Sequence, residues 1–289
     1  MREARRTAVW LAILVGIVFG GDRLLSAILD QVLLRSQFRF SRVYGGRSEA
    51  DILTLGDSRG VNSFYAPAIE NLTGKRVLNL TYNSMTPRIA EAIFADYLER
   101  NRPPELVVIE ATHLIADSNL ETELRTYANH SPRLRALYAE RHPRAARVGG
   151  WFRLLAFNSE FFFRALYYLR RSDQDWILRS TISPELLATP PSGWPLVPMP
   201  GNLEALERLV RSLRARGVTV RLVIAPYQSP DVVNLPEFSR LVHDRAGVPV
   251  LNYIDAGGPP ENFADRVHMN ERGAVLFCQR LAADGVFRR

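Results

Sequence analysis

Blocks of apolar residues alternate with amphipathic stretches through most of the chain. Ile52–Leu55 is a continuous apolar run ending at Gly56, the form of a short strand buried on both faces. Arg76–Leu80, Leu106–Ile109, Val218–Ala225 and Val248–Ile254 repeat that form. Between them the spacing predicts helices. Pro87 opens one whose Ile89, Ile93, Phe94 and Tyr97 share a face, and Pro103-Pro104 closes it. Leu203–Arg216 carries Leu206, Leu209, Val210 and Leu213 at helical spacing and stops at Gly217. Glu271–Ala283 is a terminal helix with Ala274, Cys278, Leu281 and Ala282 inward. Strands alternating with helices predict an α/β fold built on a parallel sheet covered on both faces.

Two regions leave this rhythm. Thr7–Gly21 is an apolar run preceded by Arg2, Arg5 and Arg6 and broken by Asp22 and Arg23. A helix of that length reaches roughly 22 Å, short of a hydrocarbon core of about 30 Å. Snorkelling arginines or a continuation through Leu24, Leu25 and Ile28 makes up the difference. Residues 1–30 are therefore expected to be an uncleaved membrane anchor with its basic end in the cytoplasm. A cleaved signal peptide shares the pattern, although Val18-Phe19-Gly20 is a poor cleavage site. Both readings place residues 31–289 outside the cytoplasm, on the periplasmic side of the cell membrane. The second region, residues 114–200, is rich in arginine and aromatics, as in Phe161–Arg171, and ends in a proline-rich stretch from Pro190 to Pro200. It is expected to be a helical insertion after the third strand, packed on the sheet with its arginines solvated. The alternative is a basic, aromatic surface that rests on the membrane or roofs the site.

Composition narrows the chemistry. With 289 residues, 47% of them hydrophobic, the chain can bury one large core. Its single cysteine, Cys278, excludes an intrachain disulfide and a cysteine-built metal site. His130, His142 and His243 lack metal-ligand spacing, so neither metal nor cofactor is expected. The net charge of +7 raises nucleic acid or an anionic membrane surface as partners. No P-loop, dinucleotide fingerprint or RNA-binding signature accompanies it, and export argues against nucleic acid.

Two short segments at opposite ends of the domain can carry chemistry. Gly56-Asp57-Ser58-Arg59 follows the first strand, at the carboxyl edge of the sheet where open α/β folds bind ligands. A helix starting near Ser58 would aim its N–H groups at negative charge developing beside the hydroxyl. The same residues also serve as ordinary helix caps. Asp265-Arg266-Val267-His268 precedes the terminal helix, with Asn270 as its cap. A serine hydroxyl needs a neutral imidazole to take its proton, and the imidazole needs a partner that fixes its tautomer. Asp265, three residues before His268, can supply that partner. Asp57 is expected to fix the turn. Arg59 is expected either to meet an anionic substrate group or to be solvated.

These segments together resemble the SGNH/GDSL hydrolase family, which places a GDS serine after its first strand and a D-x-x-H segment before its last helix. FADRVHMNERGA matches that ending, and the resemblance runs from about Asp51 to the C-terminus outside the insertion. It implies a flavodoxin-like three-layer α/β/α fold with sheet order 2-1-3-4-5. It also implies an acyl-serine mechanism, with Ser58 as nucleophile, His268 as base and then acid, and Asp265 orienting it. For the oxyanion hole it implies the backbone of Ser58, with Ser84 standing where the family has glycine. His113 stands where the family has a donating asparagine; either a neutral His113 donates in its place or Asn83 takes over the job. Tethered proteins of this type add or remove O-acetyl groups on exopolysaccharide or peptidoglycan, and a further branch takes part in D-alanine transfer to teichoic acid. The expected substrate is accordingly an acylated envelope polysaccharide or a small ester, with a multi-span membrane acyltransferase as a partner. A non-catalytic module that binds glycan or docks such an acyltransferase is the competing reading.

Overall fold

The computed structural model describes residues 2–190, 193–228 and 232–288, so Pro191 and Ser192 of the proline-rich stretch lie outside the described residues. Along the chain, α1 (Arg2–Arg35) and α2 (Arg39–Tyr44) precede β1 (Ile52–Leu55), α3 (Ser58–Val61), α4 (Ala66–Thr73) and β2 (Val77–Asn79). Then come α5 (Pro87–Arg100) and β3 (Leu106–Glu110). Five helices follow: α6 (Leu120–Leu124), α7 (Pro132–Arg141), α8 (Pro143–Trp151), α9 (Glu160–Tyr167) and α10 (Pro184–Ala188). The chain closes with α11 (Asn202–Arg214), β4 (Thr219–Ile224), α12 (Leu235–Ala246), β5 (Val250–Asn252) and α13 (Glu271–Ala283). It divides into two compact units, Met1–Gly45 with Asn119–Arg171 and Gly46–Ser118 with Ser172–Arg289.

In the first unit α1 is one continuous helix of 34 residues, about 50 Å long. It is the one helix among the described residues long and apolar enough to cross a membrane. Val9, Trp10, Leu11, Leu14, Ile17, Leu24 and Leu25 on it are exposed. It runs through Asp22 and Arg23, so the continuation past Leu24, Leu25 and Ile28 is the one the chain takes. The Asp22 carboxylate is buried because it accepts the N–H groups of Arg153 and Leu154, each at 3.0 Å, at the head of a 3₁₀ turn over Arg153–Phe157. An aromatic cluster fills the space beyond. Phe40 stacks on Phe161 with centroids 5.2 Å apart, and Tyr44 on Tyr127 at 4.9 Å. The packing partners of residues 119–171 in this unit are thus α1 and α2, a partnership that periodicity could not indicate.

The second unit holds a five-stranded sheet in the order β2-β1-β3-β4-β5, the expected topology. All four pairings are parallel, with Ile52 opposite both Val77 and Leu106, and Leu222 opposite Val250. Helices α4 and α13 pack together over one core, where Ile52, Ile69, Val108, Phe277 and Leu281 are fully buried. Helices α5, α11 and α12 form the other layer, through Ile89, Ile93, Leu206, Leu209 and Val242. Each such side chain contributes about 1.5–3 kcal/mol by leaving water. Because ligand sites in open parallel sheets lie beyond the strand carboxyl ends, the segments after β1 and β3 are the ones to inspect.

Candidate active site

The site begins where β1 ends. Gly56 has φ of 144°, and a Cβ on it would stand 2.8 Å from the Cβ of Glu110, so only glycine lets the chain turn against the end of β3. Asp57 caps the next helix, its Oδ1 accepting the Arg59 N–H at 3.0 Å. Ser58 is then the first residue of α3, a single helical turn, and Asn62 donates to the Ser58 carbonyl from both its backbone (3.2 Å) and its side chain (2.8 Å). Oδ1 of Asn62 accepts the Leu178 N–H at 3.0 Å, which pins that turn from the far side.

The second segment lies between Phe263 and Met269, which form an antiparallel bridge that closes the loop. Oδ1 of Asp265 accepts the N–H groups of Val267 and His268, both at 2.8 Å. That leaves Oδ2 to accept Nδ1–H of the His268 ring at 2.8 Å. Nδ1 facing a carboxylate carries the proton, so Nε2 is bare and accepts from the Ser58 hydroxyl at 2.8 Å. Three side chains separated by up to 210 positions are thereby joined in one hydrogen-bonded row. Partial burial raises the Asp265 carboxyl, but the bonds from the His268 ring and from the two N–H groups outweigh it. They hold the group below the usual carboxylate range. The row is open to solvent, since Ser58 is half-buried and the imidazole keeps 20% of its side-chain surface.

Arg59 neither faces solvent nor awaits an anion. It turns inward, 5% exposed, and donates to the carbonyls of Val267 (2.9 Å) and Ala225 (2.5 Å). Its Nε lies 3.5 Å from the Glu110 carboxylate, and the guanidinium sits 3.4 Å over the Tyr227 ring. Glu110 is itself fully buried and accepts from the Thr112 N–H (3.0 Å) and hydroxyl (2.7 Å) and the Ala225 N–H (3.3 Å). Arg59 therefore ties the serine turn to the loop that carries His268. Burial and the neighbouring Glu110 push Asp57 up, with Arg59 and the Arg59 N–H pulling against them.

The expected oxyanion residues fare differently from one another. Tyr82 N–H donates to the Gly56 carbonyl at 3.0 Å and Met85 N–H to the Tyr82 carbonyl at 3.0 Å, so a turn over Tyr82–Met85 hangs beside the serine loop. Ser84 has φ of 57°, the one positive value among described non-glycine residues, and this is the backbone shape a glycine would supply. Asn83 and Ser84 are exposed, and the N–H groups of Ser58 and Ser84 have no partner among the described residues. His113 departs from its expected role. It is fully buried, and its Nδ1 donates to the Glu110 carbonyl at 2.5 Å. Burial lowers the ring's basicity despite the nearby Asp57 carboxyl, so the ring is neutral and its Nε2 holds no proton to donate. Sequence reasoning also missed Glu110 and Asn62, because neither sits in a motif. The only available signal was an acidic residue closing an apolar strand. Among the described residues no group of three metal-binding side chains exists.

No protein-family model matches the chain, and no curated protein matches it. Among solved structures, one from Bacteroides fragilis named "putative acylhydrolase" is similar over 82% of this chain and 88% of that one, at 12% identity and a TM-score of 0.36. At that level the likeness is too coarse to speak for residues or chemistry, and the site's own geometry has to do so.

Proposed function

We propose that the protein is a serine-dependent O-acyl ester hydrolase or acyltransferase of the SGNH/GDSL type. The observation that carries this reading is the row Asp265–His268–Ser58, two hydrogen bonds of 2.8 Å with the hydroxyl proton aimed at a bare ring nitrogen. In the first step Ser58 Oγ attacks the ester carbonyl carbon and His268 Nε2 takes its proton. The carbonyl oxygen becomes an oxyanion, for which the free N–H groups of Ser58 and Ser84 are the candidate donors. As the carbonyl re-forms, the ester C–O bond breaks and His268 returns the proton to the departing alkoxide. In the second step His268 deprotonates water or a sugar hydroxyl, which attacks the acyl-serine, and Ser58 leaves with the proton. Asp265 holds the ring in one tautomer throughout and stabilises its charged form.

The substrate class follows from location. With α1 as a single-pass anchor and its arginine-rich end in the cytoplasm, the site faces the cell envelope, where acylated polysaccharide is the fitting ester. An acetyl donor on the outer face, such as a multi-span membrane acyltransferase, would make transfer feasible. The test is hydrolysis of p-nitrophenyl acetate and release of acetate from O-acetylated polysaccharide by the full chain in detergent. Turnover by the wild type that is lost in Ser58→Ala is expected. A folded wild type that turns over neither substrate would sink the enzyme reading in favour of a glycan-binding module. Silence of a C-terminal phosphatase fusion would sink the topology.

A further inference from the structure

The first unit contains a cleft of about 580 Å³ between α7, α8 and the turn at Arg153–Phe157. Three arginines line it, Arg125, Arg135 and Arg153, and no aspartate or glutamate does. Arg125 donates to the backbone carbonyls of Thr122 (2.7 Å) and Leu155 (3.4 Å), and Arg135 to that of Ala128 (3.1 Å). None of the three meets a carboxylate among the described residues. Three uncompensated guanidinium groups around one concavity repel each other and leave forked donors unused, a arrangement that suits a phosphate. The rest of the wall is apolar, from Ala146, Val148 and Leu155. An inorganic anion has no use for such a wall, whereas an amphiphile does.

The cleft is also fixed to α1. The Asp22 carboxylate holds the Arg153 and Leu154 N–H groups, and Arg23 donates to the Trp151 carbonyl at 3.1 Å. Phe19 packs against Phe152 and Trp151, with centroids 5.3 and 6.4 Å away. Counting from Thr7, Asp22 lies roughly 22 Å along the helix, inside a hydrocarbon core of about 30 Å. A bare carboxylate there would be costly, and α8 with the following turn is what covers and satisfies it. That same segment leaves Val148, Trp151, Phe152 and Leu155 between 36% and 62% exposed, even with Phe19 against two of them. Apolar contact with acyl chains below and arginine contact with headgroups above follow from one placement.

We infer that this cleft binds the phosphate headgroup of an anionic phospholipid from the outer leaflet, with α8 and the Arg153–Phe157 turn immersed beside the anchor. The inference rests on the membrane reading of α1 and is independent of the chemistry at Ser58. The full chain is reconstituted in nanodiscs of phosphatidylcholine mixed with phosphatidylglycerol, and the lipids still bound after release are counted by native mass spectrometry. Wild type is expected to retain phosphatidylglycerol over phosphatidylcholine. The triple variant R125Q/R135Q/R153Q should lose that preference by on the order of 100-fold, at about 1 kcal/mol for each of the three charges removed. Arg144→Gln with Arg147→Gln, on α8 but outside the cleft lining, should keep it, and R125K/R135K/R153K should keep most of it. Equal retention of both lipids by wild type, or undiminished preference in the glutamine variant, overturns the inference while leaving the anchor intact. Failure of the wild type to enter nanodiscs overturns the membrane reading and the inference with it.

Discussion

Replacing Arg59 by methionine keeps the length of the side chain and removes its charge. The change strips donors from the carbonyls of Val267 and Ala225 and takes the cation from beside Glu110, which is fully buried. Breaking a buried pair by deleting one member costs about 3–5 kcal/mol. Glu110 keeps its bonds from Thr112 and the Ala225 N–H, which favours the lower end of that range. Even about 3 kcal/mol is a large share of the roughly 5–15 kcal/mol that stabilises a domain. Cys278 supplies the assay. It is the single cysteine, completely buried, and burial pushes its thiol up to about 12, so it reacts only when the domain opens. Pulsed thiol labelling across a urea series then gives the opening equilibrium for wild type, R59M, E110Q and R59M/E110Q. The double variant no longer buries an uncompensated carboxylate, so the two single costs should fail to add by at least about 1 kcal/mol. The Val267 carbonyl also precedes His268, so R59M should lower kcat with little change in KM. Stability of R59M within about 0.5 kcal/mol of wild type, or strict additivity, refutes the reasoning.

Three further outcomes follow from the same structure. Asp265→Asn presents an amide N–H to the ring, which moves the imidazole proton to Nε2 and aims it at Ser58; kcat should fall on the order of 10⁴-fold while thermal stability changes little, as esterase kinetics and melting would show. A Cβ on Gly60 would stand 2.6 Å from Cγ2 of buried Thr81, so Gly60→Ala should destabilise the fold by about 1–3 kcal/mol in the thiol assay. The Arg76 guanidinium, helped by the Arg76 N–H against the effect of burial, holds Asp51 down to about 2. Its folded value lies below the unfolded one of about 3.9. Its contribution is therefore complete above about pH 4 and lost as pH falls toward about 2, so Asp51→Asn should flatten the acid limb of a pH–stability curve over that window.

How far the sequence alone reaches is visible in particular residues. Helices α5 and α13 fall where the pattern puts them because their ends are written locally. Thr86 accepts the Ile89 N–H ahead of Pro87, and Asn270 accepts the Gly273 N–H. The strand order was readable only through the family resemblance, since apolar runs say that strands are buried and not which neighbours they take. Helices α4 and α12 went unread, their apolar faces being completed by α13 and α11. Asp22 interrupts the apolar run because a charge there is costly when alone, and the N–H groups that satisfy it come from 131 and 132 positions away. Arg59 and His113 follow the same logic. Residue type says what a side chain can donate or accept, but burial decides whether it does, and their partners lie in β3, the loop after β4 and the loop before α13. The Ser58, Asp265 and His268 positions escaped that limit because each sits in a turn whose local bonds, such as Asp265 to its own loop, are encoded within four residues.

The central claim is that the Ser58 oxygen is made nucleophilic by the ring of His268. Intact-mass analysis of the full chain after brief exposure to a fluorophosphonate, followed by peptide mapping, tests it directly. One adduct on Ser58 is predicted for the wild type, strongly slowed in His268→Ala and absent in Ser58→Ala. A folded wild type that stays unmodified, or one labelled equally fast without the imidazole, contradicts the account.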